Sequence, residues 1–286
     1  MSSSREEKSD MNSQYVVVGV DGSTVAVRAL DRAAKEAVRR GATLRVVYAV
    51  PDRDEAGPIL ASSAARIHAQ HPGLPVVTRA SEGGAARALL RESGGTALTV
   101  VGNRGFGAFS GLLFGSVSLR LAASIRGPLL VVRGDHRCDD GREVLLGLES
   151  DADADAAVYA FQEAERRGTR LRVLHSWTHR RIAPELPSPV PATSPGQREL
   201  ALRDAAEEAV PRFTMAELHD RYPEVAIETR TVRTGPAHAL LEATGEAGLV
   251  VIGVHRHSDR LRPRLGPVAL TLLHRSHCPV AVVPTG

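Results

Sequence analysis

The feature that constrains this chain most is an internal repeat. Three apolar runs of the first half return in the same order in the second half: VVVGVD at 16–21 as VLLGLE at 144–149, LRVVYAV at 44–50 as LRVLHSW at 171–177, and GPLLVV at 127–132 as CPVAVV at 278–283. A repeat of this length indicates two copies of one structural unit. With 286 residues, each copy is long enough to bury its own core.

Each copy alternates short apolar runs with segments of helical periodicity, which predicts an α/β fold of five parallel strands and four helices. The predicted boundaries are a disordered tail at 1–14, a first domain at 15–134, a polar linker at 135–142 and a second domain at 143–286. The second copy is longer between its second and fourth strands, where a proline-rich segment precedes a predicted amphipathic helix at about 197–221.

A glycine-rich segment, GNRGFGAFSGLLFGS at 102–116, lies between a predicted buried strand and a predicted helix. Gly102, Gly105 and Gly115 allow the backbone to approach a ligand closely. Ser116 falls in the first turn of the helix, where unpaired amides and the helix dipole favour an anion. The segment therefore predicts a phosphate site. It lacks the lysine of a Walker A loop and the short spacing of a dinucleotide fingerprint.

The spacing of this segment is glycine, two residues, glycine, nine residues, glycine and serine, and it resembles the nucleotide-binding signature of the universal stress proteins at every fixed position. The resemblance implies a Rossmann-like sheet with the strand order 3-2-1-4-5 in each copy. Strands one and four are then neighbours whose connections leave in opposite directions, and ligands bind at such a point. Asp21 and Gly102 would lie on the two walls of that crevice.

The resemblance also implies roles for individual residues. Asp21 would accept hydrogen bonds from the ribose or adenine side of ATP, and Ala49 would contact adenine through its backbone. Mg²⁺ would accompany the phosphates. The phosphate-binding positions are Gly102, Gly105, Gly115, Ser116 and Val117.

The second copy keeps the interval between Gly253 and Gly266 but changes its chemistry. Arg256 replaces the second glycine, Pro267 replaces the serine, and Glu149 takes the place of Asp21. Proline removes both a hydroxyl and an amide donor, so the second site is predicted to be degenerate. The four arginines within 256–264 leave open an anion site of another kind.

The apolar runs at 129–132 and 280–283 would each form an exposed sheet edge, which is an aggregation hazard. We therefore expect the two edges to face each other about a pseudo-two-fold axis, so that the two domains pack as an intrachain pseudo-dimer. A homodimer of the tandem chain remains a further possibility.

Composition argues against two classes of partner. The formal charge is only +3 and aromatic residues make up 3% of the chain, which leaves few platforms for nucleic-acid bases. No apolar run is as long as a membrane span, and residues 1–14 lack the apolar segment of a signal peptide. The expectation is a cytoplasmic protein that binds neither nucleic acid nor membrane.

No nucleophile elbow, HExxH zinc motif or kinase loop is present, so no catalytic residue is predicted. The histidines at 255, 257, 274 and 277 lack the spacing of a metal site and are interpreted as surface residues. The leading hypothesis is an ATP-binding regulatory or signalling protein of the stress response. A weak ATPase and a nucleotide-independent interaction scaffold are the alternatives, and the sequence does not identify the regulatory partner.

Overall fold

The computed structural model describes residues 15–103, 115–133, 141–176, 215–255 and 265–285. The first repeat contains β1 (Tyr15–Val20), α1 (Thr24–Arg40), β2 (Thr43–Val50), α2 (Gly57–Gln70), β3 (Val76–Glu82), α3 (Ala85–Glu92), β4 (Leu98–Gly102), α4 (Ser116–Ser124) and β5 (Leu129–Val132). The second contains β6 (Val144–Leu148), α5 (Ala154–Arg167), β7 (Leu171–Ser176), β8 (Ile227–Val232), α6 (Pro236–Ala243), β9 (Leu249–His255), α7 (Pro267–Arg275) and β10 (Val280–Thr285). Residues 215–221 are also helical, and they end the long helix predicted there.

The ten strands found in the described residues belong to one sheet, in the order β3-β2-β1-β4-β5-β10-β9-β6-β7-β8. The predicted order 3-2-1-4-5 is confirmed in each repeat, where neighbouring strands run parallel. At the centre, β5 and β10 pair antiparallel, with Leu130 opposite Ala281. The predicted pairing of the two edges is thus confirmed, and it joins the two expected sheets into one.

Helices cover both faces of this sheet, which explains why its central strands are apolar along their whole length. One core contains buried side chains from β1, α1, α2 and α5, including Leu30 and Phe161. The other contains buried side chains from α3, α4, α6 and α7, including Leu121 and Leu272. Within the described residues, no helix is long and apolar enough to cross a membrane.

Candidate functional site

The candidate site lies where β1 and β4 end. These two strands are parallel neighbours, with Val16 opposite Leu98, and their chains leave to β2 on one side and β5 on the other. Carboxyl ends of parallel strands meet at one edge of a sheet, and a change of direction there opens a crevice. Asp21 and Gly102 therefore lie at the same edge, as the sequence predicts.

Asp21 is fixed by a tight turn between β1 and α1. Gly22 has a φ of 82°, a left-handed conformation that favours glycine. The backbone N–H of Ser23 donates to Oδ1 of Asp21 at 3.0 Å. Ser23 in turn caps α1, because its hydroxyl oxygen accepts from the N–H of Ala26 at 3.2 Å. The backbone of this turn therefore helps to orient the carboxylate.

Ala49 lies on the same wall of the crevice as Asp21. Tyr48 of β2 is opposite Val20, the last residue of β1, so Ala49 is one position further toward the carboxyl edge. Its small side chain is half-buried, beside Ser81 of β3. The structure therefore brings Asp21 and Ala49 together, while their roles toward adenine stay predictions.

The two ends of the glycine loop are held at one point. Asn103, directly after Gly102, donates its backbone N–H to the carbonyl oxygen of Val132 at 2.9 Å. The N–H of Gly115 then donates to the carbonyl oxygen of Asn103 at 2.8 Å. The loop therefore leaves and returns beside the end of β4. Gly105, a predicted phosphate-binding residue, lies outside the described residues.

The helix α4 begins directly after the hydrogen-bonded end of the glycine loop. Gly115 is its N-cap and supplies no capping side chain. Ser116, the first helical residue, is exposed, and Val117 is half-buried. The first amides of a helix have no intrahelical acceptor, and they carry the positive end of its dipole. This arrangement suits an anion beside Gly102 and Gly115.

Sequence reasoning missed Asn103. Only 4% of this residue is exposed, and its Oδ1 atom is buried without a hydrogen-bond partner among the described residues. Buried polar atoms normally have partners, so this acceptor at the base of the loop makes Asn103 a further candidate site residue. The available signal was a polar side chain immediately after a strand that is otherwise apolar.

The equivalent crevice of the second repeat is filled by one of its own side chains. Asp153, only 3% exposed, accepts backbone N–H groups of Glu149 and Ser150 on Oδ2, at 2.7 and 3.4 Å. Its other oxygen lies against Gly253, the counterpart of Gly102. Glu149 itself is exposed, and Pro267 begins α7 without an amide donor. The carboxylate at this edge is therefore Asp153, which the sequence analysis did not single out.

His255, interpreted from the sequence as a surface residue, keeps 34% of its side chain exposed and also makes polar contacts within the second repeat. His255 ends β9, and its Nδ1 forms a 2.7 Å hydrogen bond with the hydroxyl of Thr285. Its Nε2 lies 3.5 Å from Oδ1 of Asp153. In the part of the chain that the structure describes, no group of three or more histidine, cysteine or acidic side chains could hold a metal ion.

We expect Gly253→Ala to destabilise the second repeat. A Cβ at this position would collide with the Asp153 carboxylate, which is held by two backbone amides. Overpacking of this kind typically costs about 1–3 kcal/mol. The measurement is the midpoint of urea unfolding. Gly266→Ala is the matched control, because a Cβ there meets nothing within 4 Å. Equal midpoints for the two variants would show that Asp153 is not fixed over Gly253.

Comparison with known proteins gives consistent results. The family model described as the Universal stress protein family matches residues 13–71, 60–133 and 141–284. A universal stress protein of Mycolicibacterium smegmatis is 32% identical over 292 residues, which cover 94% of this chain and 96% of that protein. One from Mycobacterium tuberculosis is 31% identical over 302 residues, covering 93% and 94%. The crystal structure of a universal stress protein from Archaeoglobus fulgidus shares the fold, with a TM-score of 0.69 and 17% identity over 96% of this chain and 99% of that one.

Proposed function

Because this chain belongs to the universal stress protein family, a family of the stress response, we propose that its first repeat binds ATP and that the second does not. The bound nucleotide would then act as a regulatory or signalling state of a cytoplasmic protein. The observation that carries the proposal is the difference between two equivalent crevices. Both α4 and α7 follow a glycine N-cap without a capping side chain, but α4 begins with Ser116, which keeps its amide, whereas α7 begins with Pro267 and the carboxylate of Asp153 lies over Gly253.

The phosphates of ATP fit the loop end of the first crevice. The amides at Ser116 and Val117 begin a helix whose N-cap is a glycine, so neither a side chain nor a bulky Cβ competes with an anion there. Adenine and ribose would lie toward Asp21 and Ala49, on the β1–β2 side of the crevice.

Mg²⁺ would fit this site as an ion coordinated mainly by phosphate oxygens and water, and not by a full set of protein ligands. Mg²⁺ keeps several waters and uses one or two carboxylates together with phosphate oxygens. Asp21 is the acidic side chain that the described residues place at this edge. When bound, the ion would neutralise phosphate charge, while the chain's own residues orient the nucleotide.

We propose a binding role rather than catalysis for this site. Phosphoryl transfer needs cationic groups around the γ-phosphate. The described part of the phosphate end offers backbone amides at the start of α4 and the hydroxyl of Ser116, which bind an anion without being cationic side chains. Weak ATP hydrolysis and a nucleotide-independent scaffold are the alternatives that the following experiment separates.

The test is to denature freshly purified protein and to identify and count the released nucleotide by chromatography and mass spectrometry. We expect a single adenine nucleotide per chain, and no steady release of phosphate when ATP and Mg²⁺ are added. A second nucleotide per chain would contradict the role given to Asp153. No nucleotide, together with no binding of added ATP and Mg²⁺, would overturn the proposal in favour of a scaffold.

A further inference from the structure

A buried cluster of charged side chains joins the two repeats where α1 and α5 meet. Its two acidic members are Glu36 of α1 and Glu163 of α5, which are 0% and 1% exposed. Arg40, the last residue of α1, contacts both carboxylates, and so does Arg167, the last residue of α5. Each arginine therefore bridges its own repeat to the other one.

This cluster follows the internal repeat. The sheet order is the same when read from either end, so a pseudo-two-fold axis passes between β5 and β10. At the ends of α1 and α5, Gly41 and Gly168 adopt the same left-handed C-cap, with φ of 59° and 60°. Counting back from these caps, three positions correspond: Arg40 with Arg167, Glu36 with Glu163, and Arg32 with Tyr159. Only the third pair differs in chemistry.

Arg32 and Tyr159 occupy equivalent positions in the two repeats, but Arg32 is positively charged and Tyr159 is neutral. Arg32 lies one turn before Glu36, and its Nε is 3.0 Å from Oε1 of that carboxylate. Tyr159 lies one turn before Glu163, and its hydroxyl oxygen accepts from Arg40 at 3.3 Å. Burial raises the pKa of Tyr159, and the charge of Glu163 raises it further, so the phenol stays neutral.

We propose that Arg32 and Tyr159 determine which partner the first repeat pairs with. They favour pairing of the first repeat with the second repeat and disfavour pairing of two first repeats. The native cluster already holds three buried arginines, Arg32, Arg40 and Arg167, against two carboxylates. If two first repeats paired, a second copy of Arg32 would raise this excess from one cation to two. Each further unmatched charge in a buried cluster is strongly unfavourable. Tyr159 avoids the second excess cation and still gives Arg40 a hydrogen-bond acceptor.

The charges at positions 32 and 159 thus determine which partner the first repeat accepts. The partner is the second repeat of the same chain, which the tether keeps at high effective concentration. Specificity here comes from a repulsive element against the wrong partner as well as from contacts with the right one. Two chains that associate further must therefore use a surface other than the faces of α1 and β5.

The test compares full-length variants by thermal unfolding. Tyr159→Arg places a further arginine beside the two carboxylates of the intact chain, as pairing of two first repeats would. We expect the midpoint of thermal unfolding to fall by about 10 °C. The double variant Arg32→Tyr with Tyr159→Arg again has one arginine and one tyrosine at these two positions, but with the arginine in the second repeat and the tyrosine in the first. Because position 159 precedes Glu163 as Arg32 precedes Glu36, the new guanidinium has an acceptor. We expect the double variant to regain most of the lost midpoint.

Arg32→Tyr alone is the companion single variant. It removes one of the three arginines around Glu36 but leaves both carboxylates bridged by Arg40 and Arg167, so we expect its midpoint to fall by less than that of Tyr159→Arg. A double variant as unstable as Tyr159→Arg would show that the two positions act independently, and it would overturn the proposal. Should Tyr159→Arg prove insoluble, recovery of soluble protein in the double variant supports the proposal, and insolubility of both overturns it.

Discussion

Glu36→Gln is expected to destabilise the chain by about 3–5 kcal/mol, the usual result of removing one partner from a buried ion pair. The amide keeps the shape of the side chain but not its charge. Arg32, Arg40 and Arg167 would then be left with one carboxylate, Glu163, in a region where Glu36 is completely buried. The measurement is the free energy of unfolding by urea denaturation at neutral pH.

Asp31→Asn is the matched control for this prediction. Asp31 lies on the same helix and forms an ion pair with Arg66 at 2.6 Å, but the two side chains are 31% and 42% exposed. Solvent screens such a pair, so its loss should cost less than about 1 kcal/mol. Similar losses for Asp31→Asn and Glu36→Gln would contradict the view that burial makes the cluster at Glu36 decisive.

The same cluster predicts how stability depends on pH. Burial acts to raise the pKa of Glu36, but Arg167, Arg32 and Arg40 outweigh it and lower the pKa from its usual 4.5 to about 2. A carboxyl with a depressed pKa stabilises the folded state above its unfolded pKa and loses that contribution as the pH falls. The native chain should therefore lose stability between pH 4.5 and 2. The Glu36→Gln variant should show a weaker dependence in this window.

Much of the fold could be predicted from the sequence because local and long-range signals agree. The segment of helical periodicity that follows the first apolar run is α1 (Thr24–Arg40), which begins after Ser23 and ends before Gly41. The apolar edges at 129–132 and 280–283 are expected to cover each other, and β5 pairs with β10. Patterns within one copy thus predict the strands and helices, and the internal repeat predicts how the two copies pair.

The residues that sequence reasoning missed depend on contacts between distant segments. Asp153 resembles an acidic residue in a helix first turn, and it does form a capping box with Ser150. Only the adjacent ends of β6 and β9 bring its second oxygen over Gly253. Similarly, Arg and Glu four residues apart usually indicate an exposed helix face. Glu36 is buried because α1 and α5 meet across the pseudo-two-fold axis.

Ser116→Pro is expected to weaken ATP binding by about 100-fold, since it removes two hydrogen-bond donors to a charged ligand at about tenfold each. The substitution copies the second repeat, where Gly266 is followed by Pro267 at the same place before α7. Proline is well tolerated as the first residue of a helix, because the amide that it removes has no intrahelical acceptor. The unfolding midpoint should therefore stay within about 2 °C of the native value.

The measurement is calorimetric titration of nucleotide-free protein with ATP and Mg²⁺. Ser116→Ala is the control that separates the two donors, because it removes the hydroxyl and keeps the amide, and we expect a loss of about tenfold. In the second repeat, Pro267→Ser should not create a binding site, since Asp153 still lies over Gly253. Native affinity in a folded Ser116→Pro protein would show that phosphate does not bind at the N-terminus of α4. The difference between the two crevices would then have to arise at Asp21 and Ala49.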